Sequence, residues 1–121
     1  MITLKGLSIE YPISLYNANG DQIYYEDSTG YWWKKECKDG KQVYYEDSSG
    51  YWWKSEYEDG KEVYFENSHG YWSKREWKDG NGVYFENSSS HWSKKEYKDG
   101  REVYYEDSDG FLLDNRKEIE P

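Results

Sequence analysis

Glycine stands at positions 20, 30, 40, 50, 60, 70, 80, 100 and 110, with Ser90 in the one vacant place. A turn residue every ten positions leaves no room for helices between turns. The intervening stretches VYYED, VYFEN and YWWKSEY are rich in aromatic and β-branched residues and read as strands. Two kinds of glycine turn alternate, Ser-x-Gly and Lys-Asp-Gly, so the repeating unit is twenty residues long and runs from Asp21 to Gly110. The expected fold is all-β: an antiparallel meander of about 9–11 short strands built from 20-residue hairpin repeats, as a single layer or a coiled ribbon.

Treating both turns alike, as three-residue loops ending in Gly at positive φ, gives strands 21–27, 31–37, 41–47, 51–57, 61–67, 71–77, 81–87, 91–97 and 101–107. A two-residue Asp-Gly loop is the competing choice and would change which residues share a face. In the three-residue register every column lines up across the sheet. One face carries Tyr25, Trp33, Tyr45, Trp53, Phe65, Ser73, Phe85, Ser93 and Tyr105, beside Ile23, Val43, Val63, Val83 and Val103 and then Tyr31, Tyr51, Tyr71 and His91. The other carries Trp32, Trp52, Trp72 and Trp92 interleaved with Glu26, Glu46, Glu66, Glu86 and Glu106. Next to these, Tyr24, Tyr44, Tyr64, Tyr84 and Tyr104 alternate with Lys34, Lys54, Lys74 and Lys94.

A meander has no thick interior, which explains why aliphatic residues are scarce. ITLKGLSIEYPISLY holds six of the fourteen Leu, Ile and Val residues. Aromatic rings supply the burial instead, about 150–250 Å² each when covered. The expected organisation is an N-terminal capping strand or hairpin over 1–20, tandem repeats over 21–110, and a C-terminal cap and tail over 111–121. In the last segment Phe111, Leu112 and Leu113 replace Tyr-Trp-Trp and DNRKEIEP frays. The aromatic face is too apolar to stay bare, so a homodimer or a curled ribbon is expected.

The chain is acidic, with 25 Asp+Glu against 16 Lys+Arg and a net charge of -9. That balance argues against direct binding to nucleic acid or to an anionic membrane, and for a partner with a basic surface. Cys37 fills a column held elsewhere by Tyr57, Trp77 and Tyr97, so it reads as a packing residue and no internal disulfide is possible. The opening MITLKGLSIEYPI has no long apolar run, so neither a signal peptide nor a membrane span is expected, and the default location is the cytoplasm. His69 and His91 lack spaced partners for a metal, and the Asp-Gly turns lack the alternating acidic spacing of a calcium loop. The glutamates recur at regular spacing, whereas a catalytic pair needs one distinguished pocket. No enzyme activity and no cofactor are expected. What remains is surface: Trp32, Trp52, Trp72 and Trp92 with Glu26, Glu46, Glu66, Glu86 and Glu106 as candidate binding residues.

The phrase SEYEDGKEVYFENSHGYW resembles the tyrosine-aspartate repeats of RHS-type proteins, and more closely the tandem aromatic and acidic repeats of short phage and prophage proteins, over about 16–113. GKEVYFENSHGYW is also similar to choline-binding cell-wall repeats, but this chain carries more charge and places Tyr before the Trp. No catalytic residue carries over from these families. The phage resemblance implies a small accessory protein. The leading expectation is a non-enzymatic binding protein, an acidic inhibitor that imitates nucleic acid to block a host nucleic-acid enzyme, as an anti-CRISPR or anti-restriction protein would. The alternatives are a glycan- or choline-binding adhesive module that uses the Trp rows, and a purely structural, self-associating repeat.

Overall fold

The computed structural model describes residues 2–4 and 7–119. It is all-β apart from one short terminal helix. The strands are β1 (Ile2–Leu4), β2 (Leu7–Ile9), β3 (Ile13–Tyr16), β4 (Gln22–Glu26), β5 (Trp32–Lys38), β6 (Lys41–Asp47), β7 (Trp52–Glu58), β8 (Lys61–Asn67), β9 (Trp72–Lys78), β10 (Asn81–Asn87), β11 (Trp92–Lys98), β12 (Arg101–Asp107) and β13 (Leu112–Asp114), followed by α1 (Arg116–Ile119). β1 pairs with β2 alone, and β3 to β13 follow one another in sequence order in an eleven-stranded antiparallel sheet. The chain divides into two compact units, Met1–Lys54 and Ser55–Pro121.

The two glycine turns differ, and this corrects the register expected from sequence. At the Ser-x-Gly turn the three-residue loop holds: Asp47 N–H donates to Tyr51 O at 3.0 Å, Gly50 N–H to Asp47 O at 3.0 Å, and Gly50 has φ 91. At the other turn the loop is two residues long, with φ 52 at Asp39 and φ 78 at Gly40. Positive φ at both positions is the hairpin turn whose twist matches the strands, and Asp tolerates it because its short side chain bonds locally. Lys38 therefore leaves the loop and pairs with Lys41.

A two-residue loop in a twenty-residue unit would by itself swap the faces of every following residue. A bulge prevents this. After Cys37↔Gln42 the next pair is Glu36↔Tyr44, so Val43 is the extra residue. Val83 occupies the same place between β9 and β10, and Val103 between β11 and β12. The Ile/Val column is thus the bulge column, and β4 shows it too at Ile23. One residue gained by the short loop and one absorbed by the bulge restore the parity, so the two faces keep the expected membership.

The columns, however, do not run straight. Trp33 faces Asp47, while Tyr45 faces Lys35 on one side and Trp53 on the other. Equivalent residues of successive repeats are displaced by two positions, ~6.8 Å along the strand. A row therefore reads Tyr24, Lys34, Glu46, Trp52 in the first unit. In the second it reads Tyr64, Lys74, Glu86, Trp92, and beside that Glu76, Tyr84, Lys94, Glu106, Leu112. The straight Trp file expected from the sequence is replaced by a staircase.

Burial is shallow, as a single sheet requires. Among the described residues only Val103 (4% exposed), Ser55 (6%) and Ser73 (5%) are buried. Ser73 stands between Phe65 and Asn87 on the neighbouring strands, Ser55 donates to Glu62 at 3.2 Å, and Asn115 N–H donates to the Val103 carbonyl at 2.8 Å. Covering such a valine contributes about 1.5–3 kcal/mol. At the C-terminal end Asp114 closes β13. Arg116 reaches back to it at 2.9 and 2.7 Å, to Glu96 at 3.1 Å, and lies 4.3 Å over the Tyr104 ring. Hydrogen bonds from Arg116 hold the Asp114 carboxyl down at about 2. DNRKEIEP therefore begins as a tethered segment and not as the frayed tail expected. Its last two residues, Glu120 and Pro121, lie outside the described residues, as do Met1, Lys5 and Gly6 of the expected N-terminal cap.

Candidate functional site

The charged face carries the candidate residues. Each glutamate of the set faces a large apolar side chain on the next strand: Glu26↔Trp32, Glu46↔Trp52, Glu66↔Trp72, Glu86↔Trp92 and Glu106↔Leu112. The carboxylates are held from their own strands. The phenol two residues earlier shares the face because side chains alternate along a strand. Tyr24 donates to Glu26 at 2.8 Å, Tyr44 to Glu46 at 2.9 Å, Tyr84 to Glu86 at 3.2 Å and Tyr104 to Glu106 at 2.8 Å. Tyr11 adds a second donor to Glu26 at 3.3 Å. The same contacts raise the phenols above their ordinary value: the Glu26 hydrogen bond does so for Tyr24 and the Glu106 one for Tyr104, whereas burial leads for Tyr44 and Tyr84.

Lysines complete the face. Lys34 lies 3.5 Å from Glu46, while Lys74 and Lys94 place their ammonium groups 5.3 and 5.2 Å over the rings of Trp72 and Trp92. Both members of the last two pairs sit two residues apart on one strand, so the spacing could be read from the sequence. Those indole faces already hold a cation, which competes with a sugar ring or quaternary amine for the same surface.

The turns at the other hairpin ends open with Asp27, Asp47, Asn67, Asn87 and Asp107. Asp27 and Asp47 each fold back on their own turn, accepting from Thr29 N–H and Ser49 N–H at 2.9 Å and from the Thr29 and Ser49 hydroxyls. The hydroxyl hydrogen bond is the largest cause holding each carboxyl below the ordinary range. The first serine of the turn reaches the neighbouring strand: Ser88 N–H donates to Trp72 O at 2.9 Å while Trp72 N–H donates to Ser88 Oγ at 3.1 Å, and Ser108 repeats this with Trp92. These serines, with Ser48 on Trp32, lengthen the ladder beyond the strand ends and hold Trp32, Trp72 and Trp92 at the strand starts. Sequence reasoning missed this role, although the invariant twenty-residue spacing of Ser48, Ser68, Ser88 and Ser108 signals it. It also missed a contact of 3.1 Å between Ser108 Oγ and His91 Nδ1. His91 stands in a column that otherwise holds Tyr31, Tyr51, Tyr71 and Phe111, and its contact with Ser108 is exposed.

The opposite face carries ring stacks, Tyr25 on Trp33 at 6.2 Å and Tyr45 on Trp53 at 6.4 Å, which give way to serine at Ser73 and Ser93 in the second unit. Cys37 is a half-buried free thiol opposite Gln42 on this face. No group of three or more His, Cys, Asp or Glu suited to a metal exists among the described residues, and no helix there is long and apolar enough to cross a membrane. In comparisons with known proteins, the chain matches no protein-family model and no curated protein.

Proposed function

We propose that this chain is a non-enzymatic binding protein whose charged face engages the basic surface of a protein partner. The observation that carries this reading is the set of tethered carboxylates. Glu26, Glu46, Glu86 and Glu106 are fixed by phenols at 2.8–3.2 Å on a repeating scaffold. They need little ordering on binding, so less of their interaction energy is lost to entropy. The net charge of -9 adds long-range attraction toward a cationic partner. Within each unit, successive glutamates stand two strands apart and two residues along, ~12 Å from one another. An array of fixed anions on a face of this kind suits a channel lined with Lys and Arg. Together with the resemblance to phage-type repeats, this supports an inhibitor that occupies the nucleic-acid channel of a host nuclease.

The test is competition. A panel of CRISPR and restriction nucleases is titrated with the protein in the presence of a labelled nucleic-acid substrate. Displacement of that substrate is expected, with affinity falling more than about tenfold between ~0.05 and ~0.5 M salt as screening shortens. The double variant Glu86→Lys/Glu106→Lys should abolish it, and Trp92→Ala should weaken it less. Binding that ignores salt, or a failure to displace substrate from any nuclease, overturns this reading.

A further inference from the structure

The hairpins of the second unit differ at one column pair on the ring-bearing face. Where the bulge brings the strands together, the side chain at position 55, 75 or 95 lies diagonal to position 62, 82 or 102. In two of the three hairpins a carboxylate fills the second place: Ser55 Oγ donates to Glu62 at 3.2 Å, and Lys95 lies 3.8 Å from Glu102. In the third, position 82 is Gly82, and Arg75 has no carboxylate partner among the described residues. Its guanidinium instead lies 4.6 Å over the Phe85 ring.

Beside Gly82 lies an open pocket of about 290 Å³ whose lining includes Arg75, Trp77, Gly82, Phe85, Ser93 and Lys95. Its volume is at the small end of ligand pockets. Its aromatic wall is fixed: Trp77 Nε1 donates to Glu62 O at 2.8 Å, Lys61 covers the indole at 5.0 Å, and the ring is still 37% exposed. Ser93, like Ser73, stands where the first two repeats have Trp33 and Trp53, and its small side chain fills less of the opposite side. In an acidic protein this spot sets two cations, Arg75 and Lys95, beside an apolar floor.

We propose that this pocket binds a small aromatic carboxylate, whose carboxylate pairs with Arg75 as a glutamate at position 82 would and whose ring lies against the exposed part of Trp77. The chemistry follows from what the site lacks. An arginine fork matches a carboxylate in a bidentate manner, and an exposed indole next to it rewards a flat apolar body. The substitution Gly82→Glu supplies the missing group from within. Gly82 has an ordinary backbone conformation, and a Cβ there would meet Trp77 at 3.6 Å, an ordinary contact.

The experiment is a titration of the ¹⁵N-labelled protein with phenylacetate and, separately, with the neutral phenylacetamide. Phenylacetate should shift the Gly82 amide and the Trp77 indole N–H, with phenylacetamide binding about tenfold more weakly. Arg75→Gln, a change at an exposed side chain, should weaken phenylacetate by about the same factor, and Gly82→Glu should abolish the shifts. No shift in the wild-type protein, equal binding of acid and amide, or unchanged binding in Arg75→Gln overturns the proposal.

Discussion

At the scale of the residue, two positions show how local chemistry is set by the backbone. Ser90 has φ 67 in the place where the other repeats have glycine at 86 to 94. A side chain in that conformation costs roughly 1–2 kcal/mol. Ser90→Gly should therefore raise the urea midpoint by the equivalent of about 1 kcal/mol, and an unchanged or lower midpoint would show that the serine gains something its backbone does not reveal. The phenols give a pH prediction. Tyr24, Tyr44, Tyr84 and Tyr104 are raised above the ordinary value of 10.0, chiefly by the Glu26 hydrogen bond for the first, burial for the next two and the Glu106 hydrogen bond for the last. A group whose folded value is raised contributes stability that is complete below the unfolded value and lost as pH climbs through the folded one. Stability should hold up to about pH 10 and fall beyond it, with phenolate absorbance lagging behind that of the unfolded chain. Phenolate appearing at the unfolded midpoint would contradict the tethers.

At the scale of the element, the bulge is the feature that makes a twenty-residue unit compatible with a two-residue turn. Removing Val83 takes away the absorbed residue and leaves Tyr84 opposite Glu76 and Phe85 opposite Arg75, the pairs already present. The shortened chain should fold with those pairs intact, losing about 1–2 kcal/mol of valine burial. Global unfolding of that variant would mean the bulge itself holds the sheet together. The same feature marks the limit of what could be read beforehand. The glycine beat and the aromatic alternation are local signals, so strand number, hairpin order and the composition of each face were legible. The Asp-Gly turn and the bulge alter the register by compensating amounts, and that compensation is invisible in a pattern of period two. Faces came out right while the rows came out displaced. The candidate glutamates and tryptophans were legible as a face. The phenol tethers, serine clasps and the vacancy beside Arg75 were not, because they depend on which residues meet diagonally.

At the scale of the whole molecule, the net charge of -9 sets what the protein attracts over distance. Which side chains one ligand or partner can touch together depends on the staircase of rows repeated in each bulged hairpin. That arrangement is tested most directly by backbone NOEs across β9/β10 and β11/β12 in the isotope-labelled protein. Cross-strand contacts pairing Phe85 with Arg75 and Tyr105 with Lys95 are the predicted result. Contacts pairing Phe85 with Ser73 across β9/β10 and Tyr105 with Ser93 across β11/β12 would restore straight columns and contradict it.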